Sequence, residues 1–338
     1  MFPPFLTTGI GSLPHKDPGD ACRLVLETLD IPFWPQLPQL SFHELMIPQF
    51  SEGLPFLKID EIREKIWVER DDDSALTRFY ETCTEDCRIA ISGEYAKGLY
   101  AFTRAIEDKH FRFLKGQVTG PLTFTLGLKD AEGKLVYFDE ELREICLLLL
   151  KAKVRWQSEI LRPHAEKIVI FIDEPILSAL GTSSYMGVDS GEALRLLRET
   201  ADVVRQEGGI PGIHCCSKAD WPLVIKSNVT VISFDAYDYI ETISLYPSEF
   251  TDFLKGGGYL AWGIVPTTDF IREEDTYSLK RRFDKGLETL AKSMPADLLL
   301  SNILLTPSCG TGSRSEEETV KVFNILVELK KLLTDIGR

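Results

Sequence analysis

The feature that most constrains this chain is a rhythm. Short apolar, β-branched runs are each stopped by a Gly/Pro turn, and helical patterns fall between them. Residues 5–10 (FLTTGI) stop at Gly11-Ser12-Leu13-Pro14, and residues 31–35 (IPFWP) are closed by Pro35 and Pro38. Residues 111–118 stop at Thr119-Gly120-Pro121, and residues 168–172 stop at Asp173-Glu174-Pro175. Further runs at 209–216, 229–234, 259–265 and 298–305 complete eight strand candidates, the last ended by Thr306-Pro307-Ser308-Cys309-Gly310. Helical patterns at 139–163, 190–207, 277–293 and 316–335 repeat apolar residues at three- and four-residue spacing. Strands alternating with helices predict a parallel sheet, and eight such units predict an α/β protein with a (β/α)8 TIM barrel. No Gly-x-Gly-x-x-Gly opens a helix, which weighs against a doubly wound dinucleotide fold. We expect a single domain over residues 1–338, with an irregular insertion at 40–86 after strand two, holding a small hairpin or excursion rather than a regular helix.

Acidic residues outnumber basic ones by 52 to 38, for a formal net charge of -14, and no Lys/Arg cluster interrupts that balance. Nucleic acid and anionic membrane are therefore excluded as natural partners. The first residues, MFPPFLTTGIGSLPH, lack an export signal and no later run is long enough to span a bilayer, so a cytoplasmic location is expected. Seven cysteines at irregular spacing point to thiols and metal ligands rather than disulfides. Cys83 and Cys87 have no nearby His and are read as structural.

In a barrel, residues just after the strands converge on one mouth, and here these are Ser12, Asp173, Glu174, His214, Cys216, Asp235 and Cys309. In PGIHCCS, His214 and Cys216 are two apart on an extended strand and share a side, while Cys215 turns away. Imidazole and thiolate together suit zinc, and Cys309 can supply a third ligand from across the mouth. The competing reading makes His214 a hydrogen-bonded core histidine beside two small buried thiols. Asp235 either ligates the metal or caps a turn. Asp173 and Glu174 either initiate the turn at Pro175 or put one acid into the mouth to bind an ammonium or relay a proton, since neighbours on a strand face opposite ways. His15 reads as solvated and His43 as a loop residue.

The order of these motifs resembles the catalytic C-terminal barrel of cobalamin-independent methionine synthase, within the superfamily that includes uroporphyrinogen decarboxylase-like enzymes. TTGIGSLP, GQVTGP, FIDEP, IHCCS and PSCG look like that family's successive strand ends. The resemblance implies zinc on His214, Cys216 and Cys309, with Asp235 where the family usually has a glutamate ligand. It implies substrate contacts from Ile10, Gly11, Ser12 and Asp173. The implied reaction transfers a methyl group to a thiol, most simply homocysteine to give methionine, from a methylcorrinoid protein or a methylfolate. Two departures bear on this: the chain has no room for the folate enzyme's second barrel, and the family's Gly-Glu-Pro acid after strand two is absent. Glu44 or Glu52 are the nearby acids. The alternatives are a uroporphyrinogen decarboxylase-like enzyme, or a corrinoid- or metal-binding protein without turnover.

Overall fold

The computed structural model describes residues 2–83 and 86–335. Six parallel strands pair in sequence order: β3 (Phe111–Thr119), β4 (Ala165–Asp173), β5 (Ile210–Cys215), β6 (Val231–Asp235), β7 (Tyr259–Val265) and β8 (Ile303–Pro307). Two shorter strands, β1 (Leu57–Asp60) and β2 (Lys65–Val68), form an antiparallel hairpin apart from them. The first two expected strands are present as extended segments that join the sheet by single bridges rather than ladders. Thr7 bridges Leu305 of β8, Phe33 bridges Lys115 of β3, and Ser12 bridges Gln36 between the two segments. The supporting hydrogen bonds run Leu305 N to Leu6 O (2.9 Å), Ile31 N to Thr7 O (3.0 Å) and Lys115 N to Pro32 O (2.8 Å). A parallel sheet curled so far that these two segments link its edges is barrel-like. In the second segment Pro32 and Pro35 have no N–H to donate, which limits its pairing with β3.

Side chains alternate across this sheet with period two. One set, Ile170, Ile172, Ile213, Ile232, Phe234 and Leu305, packs outward with the helices in the large core. The other forms an enclosed cluster of Ile10, Phe113, Val169, Phe171, Ile210, Val231, Tyr259, Ala261 and Leu304, with Phe2 inserted from the chain's start. Continuing each strand by two or four residues from that inner cluster reaches Lys115 and Gln117, Asp173, His214, Ser233 and Thr306. The interior is thus apolar at one end and polar at the end where the strands finish.

Local differences from expectation have identifiable causes. The run at 298–305 divides into a helix, Ala296–Ser301, and then β8, because Pro295 caps a helix start and an unbroken apolar run does not distinguish the two states. Within 40–86 the expected hairpin is accompanied by regular helices at Met46–Ser51 and Asp73–Thr82, the latter capped by the Asp72 carboxylate. A further helix, Pro121–Gly127, follows β3 at once, with proline at its first position. Cys83 and Cys87 form a disulfide, contrary to the thiol expectation. Their Cα atoms are 5.0 Å apart, within bonding range, since Cys83 follows the end of the 73–82 helix. No helix among the described residues is long and apolar enough to cross a membrane.

Candidate metal centre

The end of β5 and the turn after β8 bring three donors together. One ligand atom each from His214, Cys216 and Cys309 lies within 4.8 Å of the others. Strand alternation explains the selection: His214 follows Ile210 and Gly212 into the interior, whereas Cys215 turns outward and directs its Sγ to the Ser217 carbonyl. His214 Nδ1 meets Ser233 Oγ on β6 at 3.0 Å, and its buried Nε2 has no partner. With Nδ1 as the donor, Nε2 presents a free lone pair, the arrangement a metal-bound imidazole uses. The Cys216 thiol is pulled down to about 4, first by its hydrogen bond with Cys309 and then by His214, while Cys309 is pushed up by the same partner. The hydrogen bond between the two sulfurs thus drives their acidities apart, Cys216 down and Cys309 up. An orphaned imidazole nitrogen beside two cysteine sulfurs fits a borderline-soft ion such as zinc, with three protein ligands and an open position. Asp235 stands outside this group. Its Oδ1 caps the following helical turn by accepting from Asp238 N at 3.0 Å, and burial pushes its carboxyl up to about 7.

The two acids at the end of β4 face opposite ways. Asp173 lies on the interior side, its Oδ1 buried without a partner, and burial pushes its carboxyl up to about 6 against the opposing pull of Lys115. Glu174 turns to the start of the 121–127 helix, where its oxygens accept from Leu122 N (2.8 Å), Thr123 N (2.8 Å) and Thr123 Oγ1 (2.6 Å). The first residue of that junction is glycine by necessity, because a Cβ on Gly120 would sit 2.2 Å from the Glu174 carboxylate. Glu174 is thereby engaged as a helix cap, with both oxygens used.

The N-terminal turn lies against the same mouth. Ile10 belongs to the interior cluster and its carbonyl accepts from the fully buried Lys115 Nζ. Gly11 O accepts from Gln36 N at 3.0 Å, and a Cβ at Gly11 would meet Gln117 Cδ at 3.2 Å. Ser12 ties this turn to the one carrying Cys309: its carbonyl accepts from Thr311 N at 2.9 Å and its Oγ from Gly312 N at 3.3 Å. Ser12 is thus tied to the turn that carries Cys309.

Two interior residues were missed in reading the sequence, Lys115 and Gln117. Lys115 Nζ lies 4.6 Å from the Phe171 ring centroid, and burial lowers its ammonium to about 8. Gln117 Nε2 donates to Trp34 O at 3.0 Å, leaving Oε1 buried and unpartnered. The available signal was period two: in FRFLKGQVT, Phe113, Lys115 and Gln117 share one face. Other residues lie elsewhere than expected. His15 is buried rather than solvated. Glu44 accepts from Leu37 N, Lys97 N and Gln49 Nε2, and Glu52 from Ser92 N, so both acids tie the insertion to the segments on either side of it.

An α/β barrel-like fold whose strand ends gather a His-Cys-Cys group defines a class of candidate metalloprotein. Among solved structures the chain is similar to a B12-independent methionine synthase from Shewanella sp. W3-18-1 in complex with selenomethionine, with a TM-score of 0.63 and 14% identity over 99% of this chain and 98% of that one. It shares that enzyme's fold. Slighter likenesses extend to a GH20 module of the pneumococcal exo-β-D-N-acetylglucosaminidase StrH (TM-score 0.44, 10% identity, 96% and 84% covered) and to the GH113 β-mannanase AaManA from Alicyclobacillus acidocaldarius (0.41, 12%, 98% and 98%). No protein-family model matches the chain, and no curated protein matches it.

Proposed function

We propose that this protein is a zinc-dependent methyltransferase acting on a thiol, most simply homocysteine to give methionine. The observation that carries the reading is the convergence of His214 Nε2, Cys216 and Cys309 at the polar end of a methionine-synthase-like barrel. His214, Cys216 and Cys309 would hold the zinc, with Asp235 a further, exchangeable ligand. Bound there, zinc would keep a substrate thiol deprotonated at neutral pH, where a free thiol with a pKa of about 8.5 is mostly protonated. Ser233 would fix the His214 ring so that Nε2 faces the metal. Asp173 would bind the substrate ammonium, and the Ile10-Gly11-Ser12 turn would bring backbone N–H groups to the carboxylate, glycine allowing close approach. Glu174 would contribute indirectly, by fixing the 121–127 helix beside Asp173. The methyl donor would be a methylcorrinoid protein or a methylfolate.

The test is elemental analysis of the wild type and Cys309→Ala, followed by zinc X-ray absorption with and without homocysteine. We expect one zinc per chain in the wild type, most of it lost in the variant, and one added sulfur neighbour when homocysteine is present. Zinc indifferent to Cys309 and to thiol would overturn the reading in favour of a decarboxylase-like enzyme or a binding protein without turnover.

A further inference from the structure

The polar end of the barrel interior contains two buried hydrogen-bond acceptors that the fold itself leaves unused. Gln117 is 1% exposed and Asp173 7% exposed, and neither Gln117 Oε1 nor Asp173 Oδ1 has a partner. The Gln117 amide orientation follows from its other end, since Nε2 donates to the Trp34 carbonyl and Oε1 must then be the free acceptor. Each unpaired buried acceptor destabilises the protein unless a ligand supplies a donor.

Sheet register sets these two acceptors side by side. Gln117 pairs with Phe171 and Thr119 with Asp173, so Gln117 and Asp173 are diagonal neighbours on adjacent interior-facing positions. Long side chains so placed are in reach of one bridging group. Asp173 in turn pairs with His214 across β4 and β5, which puts the acceptors one strand away from the candidate ligand Nε2. The nearest protein cation does not fill the gap: Lys115 Nζ donates to Ile10 O, and no ion pair joins it to Asp173 among the described residues. A group that donates at least two hydrogen bonds and carries positive charge satisfies both acceptors, and a primary ammonium does so with three N–H bonds.

We propose that Gln117 Oε1 and Asp173 Oδ1 together cradle the ammonium of the thiol substrate, so that the site selects a short-chain primary amino thiol over the same thiol without its amine. This rests on the thiol reading above and adds Gln117 to it as a specificity-determining residue. Gly11 takes part by being small, because a side chain there would press on the Gln117 amide.

The test titrates zinc-loaded protein with homocysteine and with 4-mercaptobutanoate, which differs only in lacking the amine, using calorimetry on the wild type and Gln117→Met. The wild type is expected to bind homocysteine about tenfold or more tighter, the usual return on charged hydrogen bonds in a buried site. Gln117→Met is expected to lose most of that preference while its affinity for 4-mercaptobutanoate stays within about twofold. A purely structural role for Gln117 would weaken both thiols alike, and that result overturns the proposal, as does an unchanged preference. Wild type that takes both thiols equally overturns the ammonium cradle alone and leaves the thiol reading standing. Wild type that takes neither overturns both. Should Gln117→Met not fold, Gln117→Asn keeps the amide but retracts it by one methylene, and a reduced preference is again expected, an unchanged one overturning the cradle.

Discussion

The two ends of the barrel interior are built from the same strands and differ in what they leave unfinished. At the lower end, Phe2, Phe113, Phe171 and Tyr259 fill the space, with the Phe2 and Phe113 ring centroids 4.7 Å apart and Phe2 N donating to Tyr259 Oη at 3.1 Å. Two or four residues further along, Gln117 Oε1, Asp173 Oδ1, His214 Nε2 and Thr306 Oγ1 are buried without partners. The lower end is complete as protein, and the upper end leaves buried polar atoms unpaired. On the function proposed above, stability should rest on the lower end and binding on the upper, and substitutions should separate the two.

The largest effect should come from Phe171→Ala at the complete end. It removes a fully buried ring that also lies beneath Lys115, and loss of about 3–5 kcal/mol is expected in urea unfolding. A loss under about 1 kcal/mol would mean that the lower end is not the stabilising one.

Asp173→Asn at the unfinished end should act in the opposite direction. The folded Asp173 carboxyl, at about 6, lies above its unfolded value of about 3.9. The folded state thus binds the extra proton between these values, and stability falls as pH rises through that window. Metal-free Asp173→Asn should escape that fall, gaining about 2–3 kcal/mol on the wild type between pH 4 and pH 7. Parallel pH profiles for the two proteins would refute the assignment. Lys115→Met should move the midpoint of the wild-type fall to higher pH, because the cation that opposes the rise is gone.

The smallest effect is expected at Gly11→Ala. Its added methyl, 3.2 Å from Gln117 Cδ, should leave the urea midpoint nearly unchanged while weakening homocysteine binding. Equal losses in stability and binding would place Gly11 in the complete half instead.

Much of this arrangement could be read from residue order alone, because it depends on period two and on turns. His214 and Cys216 share a side and Cys215 does not; Asp173 and Glu174 divide between interior and helix; all of this follows from alternation along a strand. Register and tertiary burial are another matter. Nothing in FLKGQVT indicates that Lys115 would be buried over Phe171, since a lysine in a strand is ordinarily solvated. The two N-terminal segments have strand composition, yet they join the sheet by single bridges, and in the second Pro32 and Pro35 lack the N–H a ladder needs. Glu174 looked like a mouth acid because its partner, the 121–127 helix, was not recognised behind Gly120-Pro121.

The bonds from Thr311 and Gly312 to Ser12 join residues 299 and 300 positions apart. A chain made from its N-terminus must therefore keep its first turn waiting while β3 to β8 are synthesised, with Cys309 arriving only after the last of them. Until then a nascent chain carries only His214 and Cys216 of the His-Cys-Cys group. Completing that group and closing the ring are, in order of biosynthesis, one late event.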